Sequence, residues 1–236
     1  MDMICDNLAN IQERIANAAR RSCRSPDDIK LVAVSKRFSK EKINEAIGCG
    51  QFVFGENYIQ ESAPKIPSIV QKWTGCNIAW HFIGKLQSNK ARKAAELFDV
   101  IETIDSIKLA RTLEKHLATL DKTLTAYVQI NIGREEQKSG IMPDECESLL
   151  RQLSGLKHLH IKGLMAMPPY FADPEKNRPF FIEMRALAEH LVSSNLIGHN
   201  GPVELSMGMS GDFEVAIEEG ATVVRLGTAL FGPRQT

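Results

Sequence analysis

Eight short strand-like runs alternate with helix-like segments along almost the whole chain, and this alternation restricts the possible folds more than any other feature. The runs are almost continuously apolar, which is typical of parallel strands covered on both faces. Eight strand–helix units within 236 residues predict a single (β/α)8 barrel of the TIM type. The predicted strands are Ile29–Lys36, Gln51–Gly55, Ile78–Gly84, Val100–Ile104, Thr125–Asn131, His160–Met167, Val203–Met207 and Thr222–Leu226.

Helical periodicity fills the intervals between these runs and also precedes the first one. Leu8, Ile11, Ile15 and Ala19 share one helical face, so we expect an extra N-terminal helix that ends before Pro26. No shift in composition divides the chain, and residues 1–236 are therefore expected to form one domain. The other predicted helices are Lys40–Ile47, Tyr58–Ala63, Asn89–Phe98, Ile107–Leu120, Asp144–Leu153, Lys176–Ser193 and Asp212–Glu218.

An open, doubly wound sheet is the main alternative to a barrel. Such sheets that bind dinucleotides carry G-x-G-x-x-G after the first strand, whereas this chain has Lys36-Arg37-Phe38-Ser39 there. A P-loop motif, G-x-x-x-x-G-K-[ST], is also absent from the sequence. Both absences favour the barrel.

The charge balance and the cysteines narrow the class of protein. Lys and Arg total 29, as do Asp and Glu, so no net charge favours nucleic acid or an anionic membrane. The N-terminal residues resemble neither a signal peptide nor a membrane span, which predicts a cytoplasmic protein. The cysteines are scattered, odd in number and never form C-x-x-C, which argues against a disulfide framework or a zinc site; they are Cys5, Cys23, Cys49, Cys76 and Cys146.

Lys36 is the strongest candidate for a reactive residue. It closes an apolar strand, where desolvation disfavours the charged ammonium and makes the amine a better nucleophile. Lysines prepared in this way form Schiff bases with carbonyl compounds. On this strand alone, a lysine that simply extends its amine to water is the more common explanation of the pattern.

The last two predicted strands lead into loops suited to a phosphate. The seventh continues through Ser206 and Met207 into a segment with two glycines and a second hydroxyl, and the eighth ends at Gly227-Thr228. Phosphates bind at backbone N–H groups and hydroxyl donors, and barrels often hold them at these two loops. For either loop alone, ordinary turn and cap chemistry is an alternative.

Arg225 lies between these features on the eighth strand. Alternation directs it to the same side as Val223 and Gly227, into the barrel, where it must be paired. Its partner is either a carboxylate, such as Glu204 or Glu56, or a ligand. A lysine, a phosphate cradle and a buried arginine together predict pyridoxal 5′-phosphate (PLP), with an aldimine at Lys36, the phosphate at Ser206, Gly227 and Thr228, and the ring nitrogen at Arg225.

Six motifs in order resemble the pyridoxal phosphate homeostasis proteins, also called the proline synthase co-transcribed family. The resemblance implies a barrel similar to the N-terminal domain of alanine racemase, with PLP on Lys36, and it adds Asn57 and Met207 to the cofactor-binding positions. His81 is expected to be a hydrogen-bonded core residue. The motifs are Val34-Ser35-Lys36, Gly55-Glu56-Asn57, Trp80 to Lys90, Gly163 to Met167, Leu205 to Ser210 and Arg225 to Gly232.

The family's role is to supply or buffer PLP, with no established catalysis, and we expect the same here. The alternative is an amino-acid racemase or related PLP enzyme. Racemisation needs a second acid across from the lysine, which alanine racemase takes from a further domain, and the sequence ends soon after the eighth strand. Tyr58, Tyr127 and Tyr170 remain candidate acids.

The sequence predicts a monomer without a bound metal. A metal-dependent barrel enzyme is disfavoured because the strand ends lack a His/Asp/Glu cluster, so no metal is expected. We expect a monomer that binds PLP, with apo-enzymes as candidate protein partners, and neither nucleic acid nor membrane.

Overall fold

Eight parallel strands close into a barrel in chain order, β1 through β8. The computed structural model describes residues 3–199 and 201–233. The predicted TIM-type barrel is thereby confirmed. The strands are β1 Lys30–Val34, β2 Val53–Glu56, β3 Ala79–Phe82, β4 Val100–Ile104, β5 Leu124–Ile130, β6 Leu159–Ala166, β7 Glu204–Ser206 and β8 Val223–Leu226.

Helices follow the strands around the barrel. One of them, α3, runs well beyond the predicted end at Ala63, through Pro64 and Pro67. Proline removes a backbone donor, which suggested an earlier end, but Ile66 and Ile69 are buried and continue the packed face. The helices are α1 Met3–Arg21, α2 Lys40–Gly48, α3 Ile59–Lys72, α4 Ala91–Leu97, α5 Ile107–Leu120, α6 Cys146–Leu153, α7 Arg178–Ser193, α8 Phe213–Glu218 and α9 Thr228–Phe231.

The apolar core has two parts because strand residues alternate between the two faces of the barrel wall. The larger part fills the space between wall and helices, and includes Phe54, Trp80 and Leu226. The smaller part fills the barrel interior with Val32, Val100, Tyr127, Met165 and Val223. Nearer the carboxyl ends of the strands the interior becomes polar: His81, Glu102, Ser206 and Arg225 are all buried there. This polar layer forms the base of the site described below.

The expected N-terminal helix is present as α1. Its apolar face, which includes Leu8 and Ile11, is buried, and the helix packs on α2, α8 and α9. Asn7 Nδ2 donates to the Leu230 carbonyl at 2.9 Å. The helix therefore braces α9, which begins at Thr228.

One expectation from the cysteines is wrong. Cys5 of α1 and Cys49, which caps α2, form a disulfide with their Cα atoms 5.3 Å apart. The pair is 44 residues apart in the chain, and only the packing of α1 against α2 brings it together. Among the residues placed in the structure, no cluster of three or more His, Cys, Asp or Glu could hold a metal. Within the same residues, no helix has the length and apolarity needed to cross a membrane.

Candidate functional site

A cavity of about 260 Å³ opens at the carboxyl end of the barrel. Five of the seven predicted cofactor residues line it: Lys36, Asn57, Arg225, Gly227 and Thr228. They come from the ends of β1, β2 and β8, which closure of the barrel brings together. The rest of the lining is Val34, Ile83, Met167, Pro169, Tyr170, Phe171, Asn177, Met209, Ser210, Gly211 and Asp212.

Lys36 is half-buried at the wall of this cavity, and the backbone on both sides of it is anchored. Ser35 Oγ donates to Glu56 Oε1 at 2.6 Å, and the Arg37 backbone N–H donates to Glu61 Oε1 at 2.7 Å. Arg37 itself has a left-handed backbone, with φ of 62°. The turn that carries Lys36 is therefore defined by two carboxylates from the neighbouring strand and helix.

A second lysine, Lys65 of α3, joins these carboxylates in the layer between barrel and helix. Its Nζ lies 2.9 Å from Glu56 Oε1 and 2.6 Å from Glu61 Oε1, and it donates to the Ser35 carbonyl at 3.2 Å. Burial raises the pKa of Glu56, against the opposing effect of Lys65. Sequence reasoning missed this cluster because strand and helix partners have no local signature.

Arg225 forms the base of the cavity although it is only 3% exposed. Its Nη1 donates to Ser206 Oγ at 2.5 Å, and its Nη2 donates to the Ala166 carbonyl at 2.8 Å. Ser206 Oγ donates in turn to Glu102 Oε2 at 2.5 Å, and Glu102 Oε1 lies 2.6 Å from His81 Nδ1. The arginine is thus paired inside the barrel, with Glu102 rather than with Glu204 or Glu56.

The electrostatics of this buried series of hydrogen bonds favour charged partners. Burial alone would raise the pKa of Glu102, but the hydrogen bond and charge of His81, together with Arg225 and Ser206, lower it. Burial lowers the pKa of Arg225, while Glu102 and Asp212 oppose that change. Arginine nevertheless stays protonated at neutral pH, so the base of the cavity can donate hydrogen bonds but cannot accept them.

The two remaining predicted residues, Ser206 and Met207, do not line the cavity. Both are fully buried, Ser206 between Arg225 and Glu102 and Met207 in the apolar core. The loop positions that do line it come slightly later, at Ser210 and Gly211. The sequence pointed to a loop that does line the cavity, but could not show which of its two hydroxyls faces the cavity.

The loop after β7 is shaped by Asp212. Its Oδ1 accepts from the Met209 backbone N–H at 2.6 Å, and its Oδ2 accepts from Asn177 Nδ2 at 2.7 Å. Gly208 has φ of 95°, and a Cβ there would lie 2.7 Å from the Ala216 Cβ. A side chain at that position is therefore excluded both by backbone conformation and by space.

Two polar atoms at the cavity wall lack partners. Within residues 3–199 and 201–233, Asn57 Oδ1 and Asn177 Oδ1 are buried and have no hydrogen-bond partner. Asn177 donates from Nδ2 to a carboxylate, which leaves its Oδ1 as an acceptor. Buried acceptors without donors are costly, so the cavity is suited to a ligand that has polar groups, or to ordered water.

Residues 7–235 match the family model described as alanine racemase, N-terminal domain. The chain is 42% identical over 228 residues to the pyridoxal phosphate homeostasis protein of Pasteurella multocida, covering 97% of this chain and 96% of that one. It is 41% identical over 234 residues to the protein of the same name from Escherichia coli K12, covering 99% and 98%. The chain belongs to the pyridoxal phosphate homeostasis protein family.

Solved structures agree with this membership. PipY of Synechococcus elongatus, determined with PLP bound, superposes with a TM-score of 0.82 at 35% identity, covering 97% of this chain and 100% of that one. Alanine racemase from Corynebacterium glutamicum superposes at 0.73 but is only 18% identical, and this chain covers 61% of it. That second likeness shows a shared barrel fold and nothing about activity.

For this family member, the three tyrosines considered as acids differ in position. Tyr127 points to the amino end of the barrel, where its hydroxyl donates to Glu204, and burial raises its pKa. Tyr58 is 45% exposed and does not line the cavity, whereas Tyr170 lines it but is 87% exposed. An adjoining lobe of about 330 Å³ shares Asn57 and Tyr170 with the cavity.

Proposed function

We propose that this chain binds PLP in the cavity, with Lys36 as its covalent attachment, and takes part in PLP homeostasis with little or no catalysis of its own. The observation that carries the proposal is the meeting of one amine, one guanidinium and the Gly227–Thr228 loop in a single cavity. Membership of a family whose relatives bear this function in their names supports it.

The residues present fit the cofactor. When bound, PLP supplies an aldehyde that condenses reversibly with primary amines. Lys36 would supply the amine, and Arg225, which can only donate, would face the ring nitrogen as an acceptor. Thr228 and Ser210 offer hydroxyls for the phosphate, and Gly227 lines the cavity between Arg225 and Thr228. A Cβ at Gly227 would lie 3.3 Å from the Val34 carbonyl oxygen, so glycine permits close packing against β1.

Asn57 and Ser206 complete the proposed binding set in different ways. Asn57 contributes a buried amide at the wall, and Ser206 supports Arg225 from below. Met207 contributes packing beneath the loop that follows β7.

A buffering role requires uptake and release of PLP more than it requires proton transfer. The mouth of the cavity is open enough for Tyr170 to be 87% exposed, which favours exchange with solvent and with apo-enzymes. Racemisation needs a held acid across from the lysine, and so exposed a tyrosine is poorly suited to that task. We place this role in the cytoplasm and in a monomer.

Borohydride trapping tests the attachment. The loaded protein should absorb visible light, and reduction followed by peptide mapping should locate the cofactor on Lys36. Lys36→Ala should lose the visible band, whereas Lys90→Ala, which does not line the cavity, should keep it. Reduced cofactor found mainly on Lys85 or Lys138, which line the adjoining lobe, would refute the assignment.

Incubation with L-alanine and L-serine, followed by chiral chromatography, tests the absence of catalysis. We expect slow or undetectable change in enantiomer ratio. Turnover of about 1 per second or faster, within the ordinary enzyme range, would favour the racemase alternative.

A further inference from the structure

A series of buried hydrogen bonds beneath the cavity leads from Arg225 through Ser206 to Glu102. Arg225 can only donate, so Ser206 must accept from it and give its own hydrogen to Glu102. Glu102 Oε2 is therefore an acceptor, and Glu102 Oε1 lies 2.6 Å from His81 Nδ1. The lowered pKa of Glu102 favours its ionised form, to which His81 Nδ1 donates. The bonds of Ser206 and His81 therefore meet on one carboxylate, whereas Arg225 Nη2 is held separately by the Ala166 carbonyl.

The Ser206 hydroxyl and the Ala166 carbonyl fix the plane of the Arg225 guanidinium. Ser206 Oγ and the Ala166 carbonyl hold Nη1 and Nη2, and Glu102 Oε2 lies 3.6 Å from Nη1 as the countercharge. Without Glu102, the Ser206 hydroxyl would lose its acceptor and the buried guanidinium would lose its opposite charge. Neither loss would touch the cavity wall directly, because Glu102 does not line it.

We propose that Glu102 is a positioning residue for the cofactor site, which acts through Ser206 to fix the orientation of Arg225 and offsets its charge at the base of the cavity. The inference rests on the proposed function and deepens it. It assigns the electrostatic environment of the bound ring to an ion pair inside the barrel, where neither partner belongs to a loop.

Other charged or titratable groups face this region and must be considered in any pH experiment. Single substitutions of Glu102 or Arg225 change one formal charge and leave these groups in place. The other charged or titratable groups are Lys36 at the end of β1, His81 of β3, Tyr127 of β5, Asp212 after β7, and Lys85 and Lys138 in the adjoining lobe.

The test is a double-mutant cycle of Glu102→Gln and Arg225→Met, with PLP dissociation constants as the first readout. If Glu102 acts through Arg225, Glu102→Gln should weaken PLP about tenfold, yet have no effect in the Arg225→Met background. Equal losses in both backgrounds would overturn the proposal. Ser206→Ala, which keeps both charges, should repeat the dependence on Arg225 and serves if Glu102→Gln does not fold.

The second readout uses protein without PLP, so it stands even if the proposed function fails. The pH midpoint for modification of Lys36 by a small acylating reagent is followed by peptide mass spectrometry. Glu102→Gln removes a negative charge and should lower the midpoint by about one pH unit. Arg225→Met should raise it by a similar amount, and the double variant should return near the unmutated value.

Glu204→Gln is the matched control, because Glu204 starts β7, two residues before Ser206, at the opposite end of the same strand. It should leave the midpoint and the PLP affinity unchanged. A shift as large as that of Glu102→Gln, or shifts of the same sign for Glu102→Gln and Arg225→Met, would overturn the proposal. Failure of the unmutated protein to bind PLP would refute the proposed function alone.

Discussion

Two buried glutamates near the site illustrate opposite ways of holding a charge. Glu56 lies between barrel and α3, where one oxygen accepts from both Ser35 and Lys65 while, in the described part of the chain, the other oxygen has no partner. Glu102 lies inside the barrel and both of its oxygens are occupied. Both side chains are fully buried, yet the pKa of Glu56 is raised and that of Glu102 is lowered.

The opposite pKa directions indicate that the number and placement of donors, in addition to burial, affect the ionisation of a buried carboxylate. Glu102 has one hydrogen-bond partner on each oxygen, Ser206 and His81, and Arg225 at 3.6 Å as a countercharge, so removal of one leaves others in place. Glu56 depends on one cation, and its role is to hold the turn before Lys36. We call Glu56 with Lys65 the outer pair and Glu102 with Arg225 the inner pair. We expect the outer pair to matter more for the stability of the fold and the inner pair more for ligand binding.

Lys65→Met should have the largest effect on the stability of the fold. It leaves Glu56 buried without its cation, which costs about 3–5 kcal/mol in the free energy of unfolding. Urea denaturation measures this change, and Lys72→Met, an exposed lysine of the same helix, is the control. Equal effects of the two substitutions would show that the outer pair contributes little.

Arg225→Met should show the reverse balance. Glu102 keeps its bonds to His81 and Ser206, so unfolding should change less than in Lys65→Met. PLP affinity, however, should fall about tenfold to a hundredfold, because hydrogen bonds from charged donors contribute roughly 1.5–3 kcal/mol. Affinity can be measured by fluorescence titration. An unfolding loss larger than that of Lys65→Met, with unchanged affinity, would invert the proposed division of roles.

Thr228→Ala tests which end of the cavity holds the phosphate of PLP and which end holds its ring. Loss of one hydroxyl to a phosphate should weaken PLP about tenfold and leave unphosphorylated pyridoxal almost unaffected. Arg225→Met, by contrast, should weaken both ligands. If Thr228→Ala weakens both equally, the phosphate does not lie at the end of β8.

The sequence predicted what local pattern encodes and missed what barrel closure creates. Alternation along β8 correctly directed Arg225 inward, and a strand end placed Lys36 at the cavity. The partner of Arg225 could not be predicted, because Glu102 is 123 positions earlier and meets it only across the closed barrel. His81 was expected to be a satisfied core residue, and its contact with Glu102 agrees with that expectation.

Loop geometry limited the prediction in a similar way. Ser206 and Ser210 belong to one motif, and only the turn built by Asp212 decides that Ser210 lines the cavity. The Cys5–Cys49 disulfide likewise depends on helix packing that spacing does not reveal.

The smallest expected effect is the pH dependence of stability, where the two glutamates should act with opposite signs. The folded pKa of Glu102 is lowered, so it contributes stability above the unfolded value, roughly pH 4.3, that is lost as pH falls. The folded pKa of Glu56 is raised, so its stability is present below that value and is lost as pH rises through the folded pKa.

Thermal unfolding from about pH 3 to 7 includes the acidic range where the Glu102 contribution is lost, and separates the two contributions. Glu102→Gln should reduce the loss of stability on acidification, whereas Glu56→Gln should reduce the loss on moving from acidic to neutral pH. The two changes in slope should have opposite signs, because the folded pKa values of the two carboxylates are shifted in opposite directions. Slopes that change in the same direction would show that the two carboxylates do not differ in charge preference, and the comparison between them would fail.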